Sequence, residues 1–164
     1  MPNGASSAVS ISPTASSERP LIEKTLKDTG LFREEEIAVA LEVLDVYLLN
    51  VNQQDYQVFS ARLDGLFAGY VVFGRNSMTD GVYELYWIAV SPELQKKGVG
   101  SALMTYAEDV SRREGGRMMA VETSGRDDYL PTIAFYRRIG YLEAAKVPDY
   151  YAIGDPKIIF TRLL

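Results

Sequence analysis

Residues 82–101 read Val82-Tyr83-Glu84-Leu85-Tyr86-Trp87-Ile88-Ala89-Val90-Ser91-Pro92-Glu93-Leu94-Gln95-Lys96-Lys97-Gly98-Val99-Gly100-Ser101, and they decide the fold. The first nine are mostly β-branched or aromatic, which suits a strand. Ser91-Pro92 closes it, because proline brings no amide to a ladder. From Gly98 to Glu114, Leu103, Ala107 and Val110 fall on one helical face, and Gly115-Gly116 ends the helix. Arg117 to Thr123 is again a strand. A strand, a crossover helix and a second strand make a β-α-β unit, so the two strands are expected to be parallel.

The turn inside this unit, Gln95 to Ser101, has its own chemistry. Glycines let backbone approach a ligand closely. The first amides of a helix lack internal partners and lie at the positive end of its dipole. With Lys96 and Lys97 beside them they suit a pyrophosphate. The same glycines also serve a tight turn and close helix–sheet packing, and by themselves they do not choose. Two familiar phosphate loops fit worse. In a Walker loop the lysine follows the glycines, whereas here the lysines precede them. The third glycine of a dinucleotide fingerprint would fall at Leu103, and Ser91 to Lys97 intervene between strand and loop.

Working outward, Leu21 to Lys27 alternates as a first strand would. Arg33 to Asn50 is a helix, with Ile37, Leu41, Leu44 and Leu48 at helical spacing and Glu34, Glu35 and Glu36 in its first turn. Tyr56 to Leu63 and Leu66 to Phe73 are strands joined at Asp64-Gly65, a hairpin signal. Pro131 opens a third helix that Gly140 caps. Tyr141 to Val147 and Lys157 to Leu163 are the last strands, with Pro148 to Asp155 a loop between them. The expected fold class is therefore α/β (α+β), a mixed and mostly antiparallel sheet with flanking helices. Residues 21–164 are expected to form one domain after a flexible Ser-, Ala- and Pro-rich tail over residues 1–20.

Composition narrows the chemistry further. Among 164 residues there is no cysteine and no histidine. A Cys or His nucleophile, a Ser-His-Asp triad and the usual zinc ligands are all excluded, and no metal is expected. A net charge of -5 argues against nucleic acid as a partner and is compatible with a cationic substrate. No apolar run approaches the roughly 20 residues of a membrane helix, so no membrane partner is expected. Residues 1–20 lack the pattern of a signal peptide, which makes a cytoplasmic location the simpler expectation.

The glycine turn, as Gln95-Lys96-Lys97-Gly98-Val99-Gly100, resembles the main motif of the GNAT N-acetyltransferase superfamily, Arg/Gln-x-x-Gly-x-Gly/Ala. Leu85 to Pro92 resembles that family's central strand. Ala134-Phe135-Tyr136-Arg137-Arg138-Ile139-Gly140-Tyr141 resembles its C-terminal motif, Phe/Leu-Tyr-x-x-x-Gly-Phe/Tyr. The motifs come in the family's order, and with the element order the resemblance covers nearly everything beyond the first twenty residues. The chain departs at Tyr129, where many members carry an asparagine.

The resemblance implies an acetyl-CoA-dependent N-acetyltransferase. Val82–Val90 and Arg117–Thr123 would be the family's splayed parallel strands. Backbone at Ile88, Ala89 and Val90 would pair with the pantetheine arm. Gln95, Lys96, Lys97, Gly98, Val99, Gly100 and Ser101 would hold the pyrophosphate. Glu84 lies eleven residues before Gln95, as the base glutamate does in the histone-acetyltransferase branch; its alternatives are a counter-ion for the amine or a salt-bridged structural acid. Tyr136 matches the family's acid for the departing thiolate, its alternative being a packed aromatic. The acceptor would be a small-molecule or peptide amine, and homodimers are common in that superfamily. The competing reading is a non-catalytic acyl-CoA-binding sensor or interaction module, against which the presence of both Glu84 and Tyr136 argues.

Overall fold

A computed structural model describes residues 8–164. Seven strands and four α-helices follow one another: β1 (Val9–Pro13), α1 (Arg19–Asp28), α2 (Glu34–Leu49), β2 (Gln57–Leu63), β3 (Leu66–Arg75), β4 (Val82–Val90), α3 (Val99–Arg113), β5 (Met118–Ser124), α4 (Leu130–Arg138), β6 (Leu142–Ala152) and β7 (Asp155–Leu163). The sheet has the order β1-β2-β3-β4-β5-β7-β6. β4 and β5 are parallel, whereas β1 with β2, β5 with β7 and β6 with β7 are antiparallel. This is the mixed, mostly antiparallel sheet expected. Among the described residues no helix is long and apolar enough to cross a membrane.

Two expectations fail at the start of the chain. The segment Leu21 to Lys27 is not a strand but the body of α1. Its buried residues Ile22, Thr25 and Leu26 stand three and four apart, a helical rather than an alternating pattern, and Pro20 lies in the first turn. The expected flexible tail over residues 1–20 also fails for its described part. Val9–Pro13 pairs with Leu63–Phe59, and Thr14 N donates to Val58 O at 3.1 Å. Glu18 is buried in an ion pair with Arg62 and accepts from Ala15 N at 2.9 Å. Long-range pairing orders a segment whose composition alone would leave it loose. Residues 1–7 of that expected tail lie outside the described residues.

The chain forms two compact units. The first comprises residues 8–53, Val58–Val71 and Trp87–Tyr106. In it, Arg19 grips Asp45 through two bonds of 2.6 and 2.8 Å, tying α1 to α2. The Glu36 carboxylate accepts from Arg33 N at 2.7 Å, satisfying an amide at the start of α2. Asp64 and Gly65, with φ of 51° and 84°, make the two-residue turn that joins β2 to β3.

The second unit comprises Gln54–Gln57, Val72–Tyr86 and Ala107–Leu164. Tyr83, Leu85, Met119, Val121, Ile158 and Phe160 are buried on one face of β4, β5 and β7. On the opposite face Glu84, Tyr86, Ala120 and Ile159 are only half-buried, and Glu122 is exposed. The expected loop Pro148 to Asp155 is a further correction. β6 runs on through it to Ala152, with a bulge where Asp149 has a φ of 52°, and turns at Gly154 with a φ of 81°. Proline and a bulge are tolerated because β6 is an edge strand, exposed along its whole length.

Candidate functional site

The glycine turn stands where the sequence placed it. A short 3-10 turn, Pro92–Leu94, follows β4; the chain then passes through Gln95, Lys96 and Lys97 and enters α3 at Val99. Lys96 has a φ of 62° and Gly98 a φ of 84°. A left-handed lysine costs on the order of 1–2 kcal/mol. Left-handed residues among extended or helical ones aim successive N–H groups into one concavity, an anion-binding geometry. The first bond of α3 runs from Ala102 N to Gly98 O at 3.0 Å, so the amides of Val99, Gly100 and Ser101 have no helical acceptor. A Cβ on Gly98 would meet nothing within 4 Å, so this glycine answers the backbone conformation and not packing. Lys96 and Lys97 are exposed beside it, and the Gln95 amide folds back onto Val90 O at 3.3 Å. The donor set fits a pyrophosphate.

The parallel ladder joins Val82–Leu85 to Met118–Val121, and β4 then runs on from Tyr86 to Val90. Ile88, Ala89 and Val90 lie on this continuation. On the other edge of β4, Gly69 of β3 leaves no room for a side chain, since a Cβ there would stand 2.5 Å from Ala89 O. Gly69 went unnoticed in the sequence because the approach it permits belongs to two strands packed together.

Glu84 lies in the second unit, half-buried on β4. Asn76 Nδ2 donates to Glu84 Oε1 at 2.9 Å. Tyr86, two residues on along the same strand, has its hydroxyl pushed up to about 12, first by burial and then by the charge of Glu84 and a hydrogen bond to it. Tyr56 meets the Tyr86 ring edge-on at 5.5 Å, and the charge of Asp55 acts on the same hydroxyl. Glu84 thus sits among hydrogen-bond donors and aromatic edges that can receive a cationic amine. Of this group the sequence singled out Glu84; Asn76, Tyr56 and Asp55 lie on connecting segments without a motif.

Tyr136 is on α4, 3% exposed. Its ring packs against Phe135, Tyr141 and Phe160 at 5.4, 5.8 and 5.6 Å. Burial, with a smaller contribution from Tyr129, holds its hydroxyl far above the usual phenol range, so it keeps its proton. Tyr129, the departure from the family pattern, is buried at the start of α4 with the Arg126 guanidinium 5.3 Å above its ring. Glu122 and Ser124 form the end of β5. Glu122 pairs with Lys157 at 2.6 Å and Ser124 with Asp155.

Comparison with known proteins matches residues 24–141 to the model of the acetyltransferase (GNAT) family. An S-(2-succino)cysteine N-acetyltransferase of Bacillus subtilis (strain 168) is 25% identical over 130 residues, covering 77% of this chain and 79% of the relative. A crystal structure of a GNAT-family protein from Desulfovibrio desulfuricans superposes with a TM-score of 0.89 at 36% identity, over 95% of this chain and 99% of that one. The yncA protein of Salmonella typhimurium, solved with its cofactor acetyl-CoA, shares the fold with a TM-score of 0.73 at 18% identity, over 96% and 94%.

Proposed function

The chain belongs to the GNAT acetyltransferase family, and from that premise we propose that it moves the acetyl group of acetyl-CoA directly to a primary amine. The observation that carries this reading is the left-handed pair Lys96 and Gly98 at the start of α3, with free amides and two lysines around it. Val99, Gly100 and Ser101 would hold the pyrophosphate through their N–H groups, Lys96 and Lys97 would neutralise it, and Gln95 would shape the turn. Ile88, Ala89 and Val90 would offer backbone groups to the pantetheine arm along β4.

Bound acetyl-CoA supplies the thioester, whose carbonyl carbon forms the new bond to nitrogen as its bond to sulfur breaks. A lysine-like amine has a pKa near ~10.4 and must shed a proton before it attacks. Glu84 would accept that proton, directly or through water. Tyr136, which keeps its proton, would donate to the sulfur as negative charge gathers there. With neither Cys nor His in the chain, transfer without a covalent enzyme intermediate is the economical route.

Isothermal titration with acetyl-CoA tests the reading, with NADH and ATP as controls. Micromolar affinity for acetyl-CoA alone supports it. Absence of binding to any acyl-CoA sinks it. CoA release with a panel of primary amines (polyamines, amino sugars, amino acids, lysine peptides, free peptide N-termini) then defines the acceptor, and binding without turnover across the panel would favour a sensor.

A further inference from the structure

We propose that Asn76 is a positioning residue for Glu84, fixing one carboxylate oxygen; this rests on reading Glu84 as the acceptor of the amine's proton. Asn76 follows β3 at the head of the turn into β4. The turn uses three of its four polar groups. Its N–H donates to Val82 O at 2.9 Å, its carbonyl accepts from Thr79 N at 3.1 Å and from Thr79 Oγ1 at 2.9 Å, and its side-chain Oδ1 accepts from Met78 N at 3.0 Å. Thr79 Oγ1 in turn accepts from Val82 N at 3.1 Å, so the turn is locked onto the first residue of β4. Only Nδ2 is not used by the turn, and it donates to Glu84 Oε1 at 2.9 Å.

The orientation of the amide follows from this bonding. Met78 N–H requires an acceptor, so Oδ1 must face the turn and the NH2 must face Glu84. Aspartate or serine would serve such a turn as well as asparagine does. The amide nitrogen is the part of the residue that the turn does not need, and Glu84 is its partner. A donor on the charged form of a carboxylate favours that form. It also restrains a side chain with three rotatable bonds, which general-base work requires. The titratable and charged groups around Glu84 are Tyr86 on its own strand, Tyr56 and Asp55 against Tyr86, and Glu122 with Lys157 on the same face of β5 and β7. Asn76 and the Tyr86 hydroxyl are the uncharged donors among them.

Asn76→Asp separates the two roles. It keeps the Oδ1 acceptor for Met78 but replaces the donor facing Glu84 with a second acid. Asn76→Ser, which also keeps a turn acceptor and lacks the amide, serves if the aspartate variant folds poorly. The Glu84 carboxyl carbon is followed by 13C NMR through a pH titration, assigned with Glu84→Gln, without any substrate. The expected result is a midpoint raised by about one pH unit or more in Asn76→Asp and by less in Asn76→Ser. With the fastest amine of the panel, kcat at neutral pH is expected to fall about tenfold with the acetyl-CoA KM unchanged, because the carboxylate no longer holds one orientation. Equal midpoints in wild type and both variants would overturn the role of Asn76. A Glu84→Gln enzyme with wild-type turnover would instead overturn Glu84 as proton acceptor, and any catalytic purpose for Asn76 with it.

Discussion

The hydroxyl of Tyr141 donates to Glu108 Oε1 across 2.8 Å, fastening the residue just after α4 to the middle of α3. Both are buried, at 2% and 4% exposure. Arg162 Nη1 stands 3.4 Å from the other oxygen of Glu108 and also donates to Ile139 O at 2.6 Å. Since the Tyr141 ring packs on Tyr136, this polar knot holds the end of the helix that carries the proposed donor.

Glu108→Ala is accordingly expected to cost about 2–3 kcal/mol, because it leaves the buried Tyr141 hydroxyl unsatisfied and leaves Arg162 with Ile139 O but without the carboxylate. Tyr141→Phe should cost about 1–2 kcal/mol, since Glu108 keeps Arg162. Urea unfolding checks both values; the reverse order would contradict the assignment of Glu108 as the hub.

Gly98→Ala should weaken acetyl-CoA binding and destabilise the fold by about 1–2 kcal/mol, because a φ of 84° suits glycine and disfavours alanine. Gly98→Asn should do less harm, as asparagine tolerates the left-handed region and the site has space for its side chain. Titration calorimetry and thermal unfolding read both effects, and equal losses for the two variants would point to packing.

Glu84→Gln is expected to lower kcat/KM by about 10²–10⁴ while leaving acetyl-CoA affinity unchanged. Tyr136→Phe should lower kcat by about 10–10³ in the same background. Stopped assays of CoA release, paired with calorimetry on each variant, separate chemistry from binding.

Stability should fall steeply between pH 10 and 12. Burial raises the hydroxyls of Tyr83 and Tyr86 from 10.0 to about 12. Over that interval the folded chain holds protons that the unfolded chain has released, so unfolding becomes easier as pH rises. The stabilisation is complete below pH 10 and lost as pH passes through the folded values. Denaturant midpoints against pH measure it, and a phenolate absorbance step coincident with unfolding would confirm the source.

A chain beginning at Thr14 should lose about 2 kcal/mol and about 4–8 °C of thermal midpoint, because removing β1 bares the edge of β2. An unchanged midpoint would show that β1 contributes nothing to the sheet.

Much of this was legible in the chain itself. Val82–Val90 was read to the residue and α3 to within one at each end, because periodicity and glycine punctuation agree there. The Asp64-Gly65 hairpin was equally plain, since two left-handed positions in succession select those residues. β1 escaped notice because Val9 and Ile11 are too few apolar residues to signal a strand; its order comes from β2, some fifty positions away. α1 was misread because seven residues hold too few apolar positions for the helical period to show.

The sequence by itself determined the β-α-β unit, the glycine turn and the family, because each depends on residue types at fixed short spacing. Tertiary structure alone decided that Asn76 turns its amide nitrogen to Glu84, that Gly69 lets β3 close on Ala89, and that Glu108, Tyr141 and Arg162 share one buried knot. The polar pairings among these join side chains whose separation along the chain carries no period. Only packing brings them within the roughly 3 Å at which a hydrogen bond forms.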